Sequence, residues 1–197
     1  MTETPTRTVL DDLASTIATV ADLVATIGPD HWQAATPCPA WTARDLVNHL
    51  VLGTRLCTAA LTGTSESAAG TLDPALVDAL GADPASAYRS AGEALLAAFG
   101  RPGAADRIVH MPFGAVPGTV AAHLRLTEEL VHGWDLATAL GTRPPFTDAA
   151  AERALAFTRA TLSEVPADRS PFAPPRPAPA TATPVEQLAA LLGRPVR

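Results

Sequence analysis

Long stretches in which apolar residues recur at steps of three and four, punctuated by Gly and Pro, restrict this chain to a helical architecture. The first covers about residues 6–27, where Val9, Leu10, Leu13, Ile17, Val20, Leu23, Val24 and Ile27 form one stripe and Gly28-Pro29 ends it. A second begins at Thr42, which is spaced from Asp45 as in a capping box with Asp in place of the usual Glu or Gln, and extends to about Leu61. A third occupies about 84–99 before Gly100, a fourth about 119–141, a fifth about 148–164, and a short last one 184–192. Residues 62–83 read as a loop with one short helix at most, and 101–118 (RPG, MPFG, VPG) as turns with too few extended residues for a sheet. The expectation is an all-α fold: a four-helix bundle with an extra helix, then a proline-rich strap ending in a short helix.

Composition supports this. Ala, Leu and Val carry most of the 47% hydrophobic content and aromatics are only 5%, which favours helix over sheet. A net charge of −6 with no Lys/Arg block lacks the electrostatic footprint of a nucleic-acid binder. No apolar run approaches the roughly 18 residues of a membrane span and no secretory pattern opens the chain, so the expectation is a soluble, cytoplasmic protein. Cys57 would lie about 22 Å along the second helix from its start. A disulfide to Cys38 needs Cα atoms within about 7 Å, so two reduced thiols are expected.

Chemistry concentrates in HLRLTEELVHGWDLATALG, residues 123–141. Glu128 and His132 are four apart on a helix and rise from one face about one turn apart, the spacing of two metal ligands. His49 lies on the apolar stripe of the second helix, about 10 Å from its start, while His132 lies about 12 Å from the end of the fourth. If the two helices are antiparallel, these histidines are level, and Gly53 one turn beyond His49 leaves room beside its ring. Two imidazoles and a carboxylate suit Zn²⁺, Ni²⁺, Fe²⁺ or Mn²⁺ and leave a coordination position open, as in a catalytic site. Plainer readings stand beside this one: a carboxylate–imidazole pair, a hydrogen-bonded core His49, or Glu129 in place of Glu128. His123 falls about 180° around the helix from His132 and reads as a surface residue, with His31 and His110 in loops.

TPCPAWTARDLVNHL (36–50), MPFG (111–114), EELVHGWDLATALG (128–141) and LLGRP (191–195) together resemble the actinobacterial maleylpyruvate-isomerase-like, mycothiol-dependent proteins of the DinB-like superfamily. The resemblance implies a DinB-like four-helix bundle with a divalent metal on His49, Glu128 and His132. From the residues themselves, 1–165 read as the metal-binding bundle and 166–197 as a proline-rich strap and short helix docking on it, since Val185, Leu188, Leu191 and Leu192 would not be left in water. The function the resemblance implies is metal-dependent activation of a low-molecular-weight thiol, mycothiol, for transfer to an electrophilic small molecule or for its isomerisation. A metal-water hydrolase or lyase, and a non-catalytic small-ligand-binding bundle, are the alternatives. Zinc is the first expectation for the metal, and monomer or homodimer for the assembly. Among the matched residues, Trp41 and Trp134 read as core or staple residues and Cys38 as a packed thiol. Asp135 reads as a partner of backbone or Arg, or as support for a ligand histidine. Arg44, Arg55 and Arg89 could meet carboxylates of a thiol cofactor.

Overall fold

The computed structural model describes residues 5–39, 41–64, 72–112, 114–143, 146–162 and 172–196. Helices α1 (Pro5–Ala25), α2 (Ala43–Thr62), α3 (Pro84–Phe99) and α4 (Gly118–Ala139) form a four-helix bundle in which α1 packs on α3 and α4, and α2 on the same two. Helix α5 (Asp148–Leu162) packs on α4, and α6 (Pro184–Leu191) packs on both α4 and α5. The periodicities therefore correspond to real helices, with ends displaced by a few residues.

Local chemistry explains the boundaries. Thr42 and Asp45 form the reciprocal capping box at the start of α2, Asp accepting from the Thr42 N–H at 3.0 Å, and Gly63 in the left-handed region (φ 69°) ends that helix. Asp83 caps α3 with Pro84 at its first position. Helix α4 is the bundle's centre, since Leu126, Leu130, Val131 and Leu136 are fully buried and so are polar residues from several sides of it. Its Gly133 is required by packing. A Cβ there would lie 2.5 Å from Phe146 Cζ and 2.9 Å from Val20 Cγ2, so the roughly 1 kcal/mol propensity cost of glycine is offset by close approach of its neighbours.

Three sequence expectations need correction. Residues 108–117 do form a sheet: β1 (Ile108–Met111) pairs antiparallel with β2 (Gly114–Pro117), Val109 opposite Val116. Gly114 at φ 135° lets so short a connection turn, and the hairpin lies against α2 and α4. In the 62–83 segment, the described residues 72–83 contain turns and no helix. His123 is not a free surface residue but only partly exposed, because α5 covers that side of α4: its ring stacks on Phe157 (centroids 4.5 Å apart, planes at 11°), and its Nδ1 is buried without a hydrogen-bond partner. The junction expected at 165/166 lies outside the described residues. Beyond it, residues 172–183 run without helix, and Val185, Leu188, Ala189 and Leu192 join the same core as the bundle.

His123 provides a pH prediction. Burial lowers its pKa below the ordinary 6.5, Asp12 pulling the other way and Arg153 adding to the decrease. The unfolded chain then binds this proton more readily than the folded one, so the stability it contributes is complete above 6.5 and is lost as pH falls through the lowered folded value. Thermal melts from pH 7.5 down to about 5 are expected to show a shallower loss of Tm for His123→Leu than for the wild-type chain. Equal slopes would show that His123 is not responsible.

Candidate metal centre

Helices α2 and α4 meet antiparallel, as their side-chain partners show: His49 faces Glu128 and His132, whereas Thr54, further along α2, faces Arg125 and Glu129, further back on α4. The two expected histidines therefore do lie level, with ring centroids 5.1 Å apart. Glu128 Oε2 lies between them, 3.2 Å from His49 Nε2 and 3.4 Å from His132 Nε2. His132 is almost sealed, whereas the side chains of His49 and Glu128 retain 12% and 22% exposure, so the trio opens on the side of Glu128.

The outer nitrogen of each ring is fixed. His49 Nδ1 lies 3.0 Å from the Leu72 carbonyl, which can only accept, so Nδ1 carries the proton. His132 Nδ1 lies 3.0 Å from Asp135 Oδ2, whose other contacts come from Arg194 and the Cys38 thiol. Both Nε2 lone pairs are thereby turned toward the Glu128 carboxylate, and three electron-rich atoms converge on one point. Such a set needs positive charge at its centre, either a proton on an imidazole or a metal cation, and a carboxylate-supported histidine is the usual arrangement behind a metal ligand. Metal-free, burial opposes ionisation of Glu128, yet hydrogen bonds with His132 and His49 hold its carboxyl well below the usual range. Burial likewise opposes protonation of His132, but Asp135, Cys38 and Glu128 raise its pKa well above the ordinary imidazole value. The donor set fits a divalent cation of borderline hardness.

Cys38, His132 and Asp135 also bring ligand atoms close together. The Arg194 guanidinium already occupies that cluster, 3.0 Å from both Cys38 Sγ and Asp135 Oδ2, so the positive charge it requires is present.

Several residues sit elsewhere than the sequence indicated. Glu129 does not compete with Glu128: it is fully buried on another side of α4, accepting from Arg125 Nη2 at 2.6 Å and Tyr88 Oη at 2.6 Å, with Thr54 Oγ1 at 3.4 Å. Gly53 makes room for Arg125 and not for the His49 ring, since a Cβ there would fall 2.5 Å from Arg125 Nη1. Trp134 is buried in the core, but Trp41 is a wall of the site, its ring 4.5 Å from His49 and 5.7 Å from His132. Thr36 sets that wall by donating to the Trp41 and Cys38 carbonyls at 2.9 and 3.0 Å, which also brings half-exposed Cys38 to Asp135, Sγ to Oδ2 3.4 Å. Cys57 is the inert thiol of the two, pushed up to about 11 by burial, with Arg125 opposing.

The 72–83 loop matters as well. Asn48, the neighbour of His49, donates to the Pro74 and Val77 carbonyls and accepts from the Ala79 N–H, fastening the loop whose Leu72 carbonyl fixes His49. Arg44 bonds Asp78 and the Gly81 carbonyl of the same loop, while Arg55 and Arg89 are exposed. The carbonyl of a loop residue carries no sequence signal. The LLGRP tail was visible as a motif, but the place of Arg194 beside Asp135 was not.

Residues 13–137 match the family model of the mycothiol maleylpyruvate isomerase N-terminal domain. This chain belongs to that family. Two uncharacterized proteins of Mycobacterium tuberculosis, Rv0738 of strain H37Rv and MT0763 of strain CDC 1551, are each 35% identical to it over 179 residues, 90% of this chain and 92% of theirs. Among solved structures, the crystal structure of a mycothiol-dependent maleylpyruvate isomerase superposes with a TM-score of 0.57 at 17% identity, over 79% of this chain and 71% of that one. A histidine-to-alanine mutant of such an isomerase gives 0.56 at 19% identity. At that identity the likeness establishes the fold, the helical bundle of the mycothiol maleylpyruvate isomerase family. The matched residues include His49, Glu128, His132 and Asp135, and end before Arg194.

Proposed function

We propose that this chain is a metal-dependent enzyme that activates a low-molecular-weight thiol, mycothiol, for transfer to an electrophilic small molecule or for that molecule's isomerisation. One observation carries the metal: the two Nε2 atoms and the Glu128 carboxylate converge within 3.2–3.4 Å, with both outer nitrogens already engaged. His49, Glu128 and His132 would hold the ion, zinc first among Zn²⁺, Ni²⁺, Fe²⁺ and Mn²⁺. When bound, a divalent ion supplies Lewis acidity, which lowers the pKa of a thiol or polarises a carbonyl. The thiol itself is inferred from the family, whose description names mycothiol and maleylpyruvate.

The chain's own residues define how reactants reach this point. The Trp41 ring lies over both histidines and excludes water from that side, leaving approach past Glu128 and His49. Asp135 and the Leu72 carbonyl hold the two rings in place, so that a cation would need only to displace the proton held toward Glu128, with no turning of either ring. The cytoplasm is the compartment this reading requires, because it keeps both a thiol pool and the unpaired Cys38 and Cys57 reduced. Among the described residues no helix is long and apolar enough to cross a membrane.

Thiol dependence is the test. With metal-loaded protein and a panel of α,β-unsaturated carboxylic acids and alkylating electrophiles, turnover is expected only when mycothiol is added. It should be conserved in an isomerisation and consumed in a transfer. Turnover of an ester, amide or hydroxy acid without any thiol would support the metal-water hydrolase or lyase instead.

A further inference from the structure

The C-terminal tail reaches the centre through a single side chain. Helix α6 begins with a Thr183–Glu186 capping box and ends in a Schellman turn: Gly193 N–H bonds the Ala190 carbonyl at 3.0 Å and Arg194 N–H the Ala189 carbonyl at 2.9 Å. Gly193 takes φ +88°, and a Cβ there would fall 2.6 Å from Ala173 Cβ, so only glycine lets the strap lie against the turn. The turn directs Arg194 back into the bundle, where just 6% of it is exposed.

There its donors are engaged. Nε and Nη2 form a fork on the Asp135 carboxylate, at 3.3 Å to each oxygen from Nε and 3.0 Å to Oδ2 from Nη2. Nη2 also reaches Cys38 Sγ at 3.0 Å, and Nη1 donates to the Leu192 carbonyl at 2.8 Å. A guanidinium so enclosed is built to hold a neighbour and not to meet a substrate. What it holds is the fully buried carboxylate on His132 Nδ1.

We propose that Arg194 is a positioning residue of the metal centre: its fork fixes the Asp135 carboxylate, Asp135 fixes the His132 ring, and the C-terminal tail thereby completes a site whose ligands all lie on α2 and α4. This rests on the metal reading above. It makes the described tail, residues 172–196, a strap that serves the centre from outside the matched residues 13–137.

The test is metal affinity and ligand field, neither of which requires a known substrate. Wild type, Arg194→Gln, Arg194→Lys, Gly193→Ala and the exposed-tail control Arg176→Gln are titrated with Co²⁺, following visible d–d bands, and with Zn²⁺ against a chromophoric chelator. Arg194→Gln is expected to retain its helical circular dichroism, lose about 10–100-fold in affinity and give an altered Co²⁺ spectrum, because an outer partner of a ligand histidine is lost. Gly193→Ala should show the same spectral change with Arg194 still present. Arg194→Lys, which keeps a cation without the fork, should fall between, and Arg176→Gln should match wild type. Should Arg194→Gln fail to fold, Arg194→Lys decides by the same spectral criterion. Arg194→Gln binding both metals as tightly as wild type with an unchanged spectrum would overturn the inference and leave the metal reading intact. A wild-type chain that takes up neither metal would overturn both.

Discussion

Glu128→Ala and His132→Ala, purified without chelator, are expected to lose the near-stoichiometric divalent metal that elemental analysis should find in the wild-type chain. The loss should exceed the roughly 10–100-fold in affinity that follows removal of an outer partner, because each variant deletes one of three donors. His49→Ala should behave alike, its Nε2 lying 3.2 Å from the shared Glu128 oxygen. His31→Ala and His110→Ala supply the contrast: both residues are exposed and neither belongs to the converging set, so metal content should not change. Helix content should be retained in all five, since none fills the apolar core. Equal metal in wild type and Glu128→Ala would remove this trio from consideration.

Glu129→Ala, one residue along, should fail in a different way. Its carboxylate is fully buried and pairs with Arg125, which is itself 5% exposed and lies over Gly53. Deleting it leaves a buried guanidinium and the Tyr88 hydroxyl without their partner, which costs about 3–5 kcal/mol. At about 2–4 °C per kcal/mol for a chain of this size, Tm should fall by roughly 6–20 °C. Replacing the pair together, as Arg125→Met with Glu129→Leu, should recover much of the loss, because no unpaired charge remains in the core. The measurement is a double-mutant cycle of thermal and urea unfolding. A Glu129→Ala chain as stable as wild type would show that the pair contributes nothing net. Metal content per folded molecule separates the neighbours: Glu128→Ala loses the metal and the stabilisation the metal supplies, whereas Glu129→Ala loses Tm with its metal ligands intact.

What was legible in the sequence follows from what helical geometry fixes locally. A spacing of four positions from Glu128 to His132 guarantees one face, and the distance of His49 and His132 from their helix ends brings them level once α2 and α4 run antiparallel. Helix ends were legible wherever a cap was written in side chains, as at Thr42 and Asp45. Misreadings arose where a partner from elsewhere decides. Gly53 is one turn from His49, but the space it leaves is filled by Arg125 from α4. His123 is opposite the site, yet opposite is not outside on a helix covered by α5. Trp41, Cys38 and the Leu72 carbonyl depend on loop paths set by Thr36 and Asn48, and Arg194 depends on a turn far along the chain. The β1–β2 hairpin is four residues a side, too short for alternation to register.

Anomalous diffraction from crystals of the zinc-loaded protein, recorded above and below the zinc edge, tests the central claim most directly. A single strong peak among His49 Nε2, Glu128 Oε2 and His132 Nε2 is the result expected, with Arg194 still forked on Asp135. A peak among Cys38, His132 and Asp135 with the guanidinium displaced, or no peak in the bundle, would contradict it.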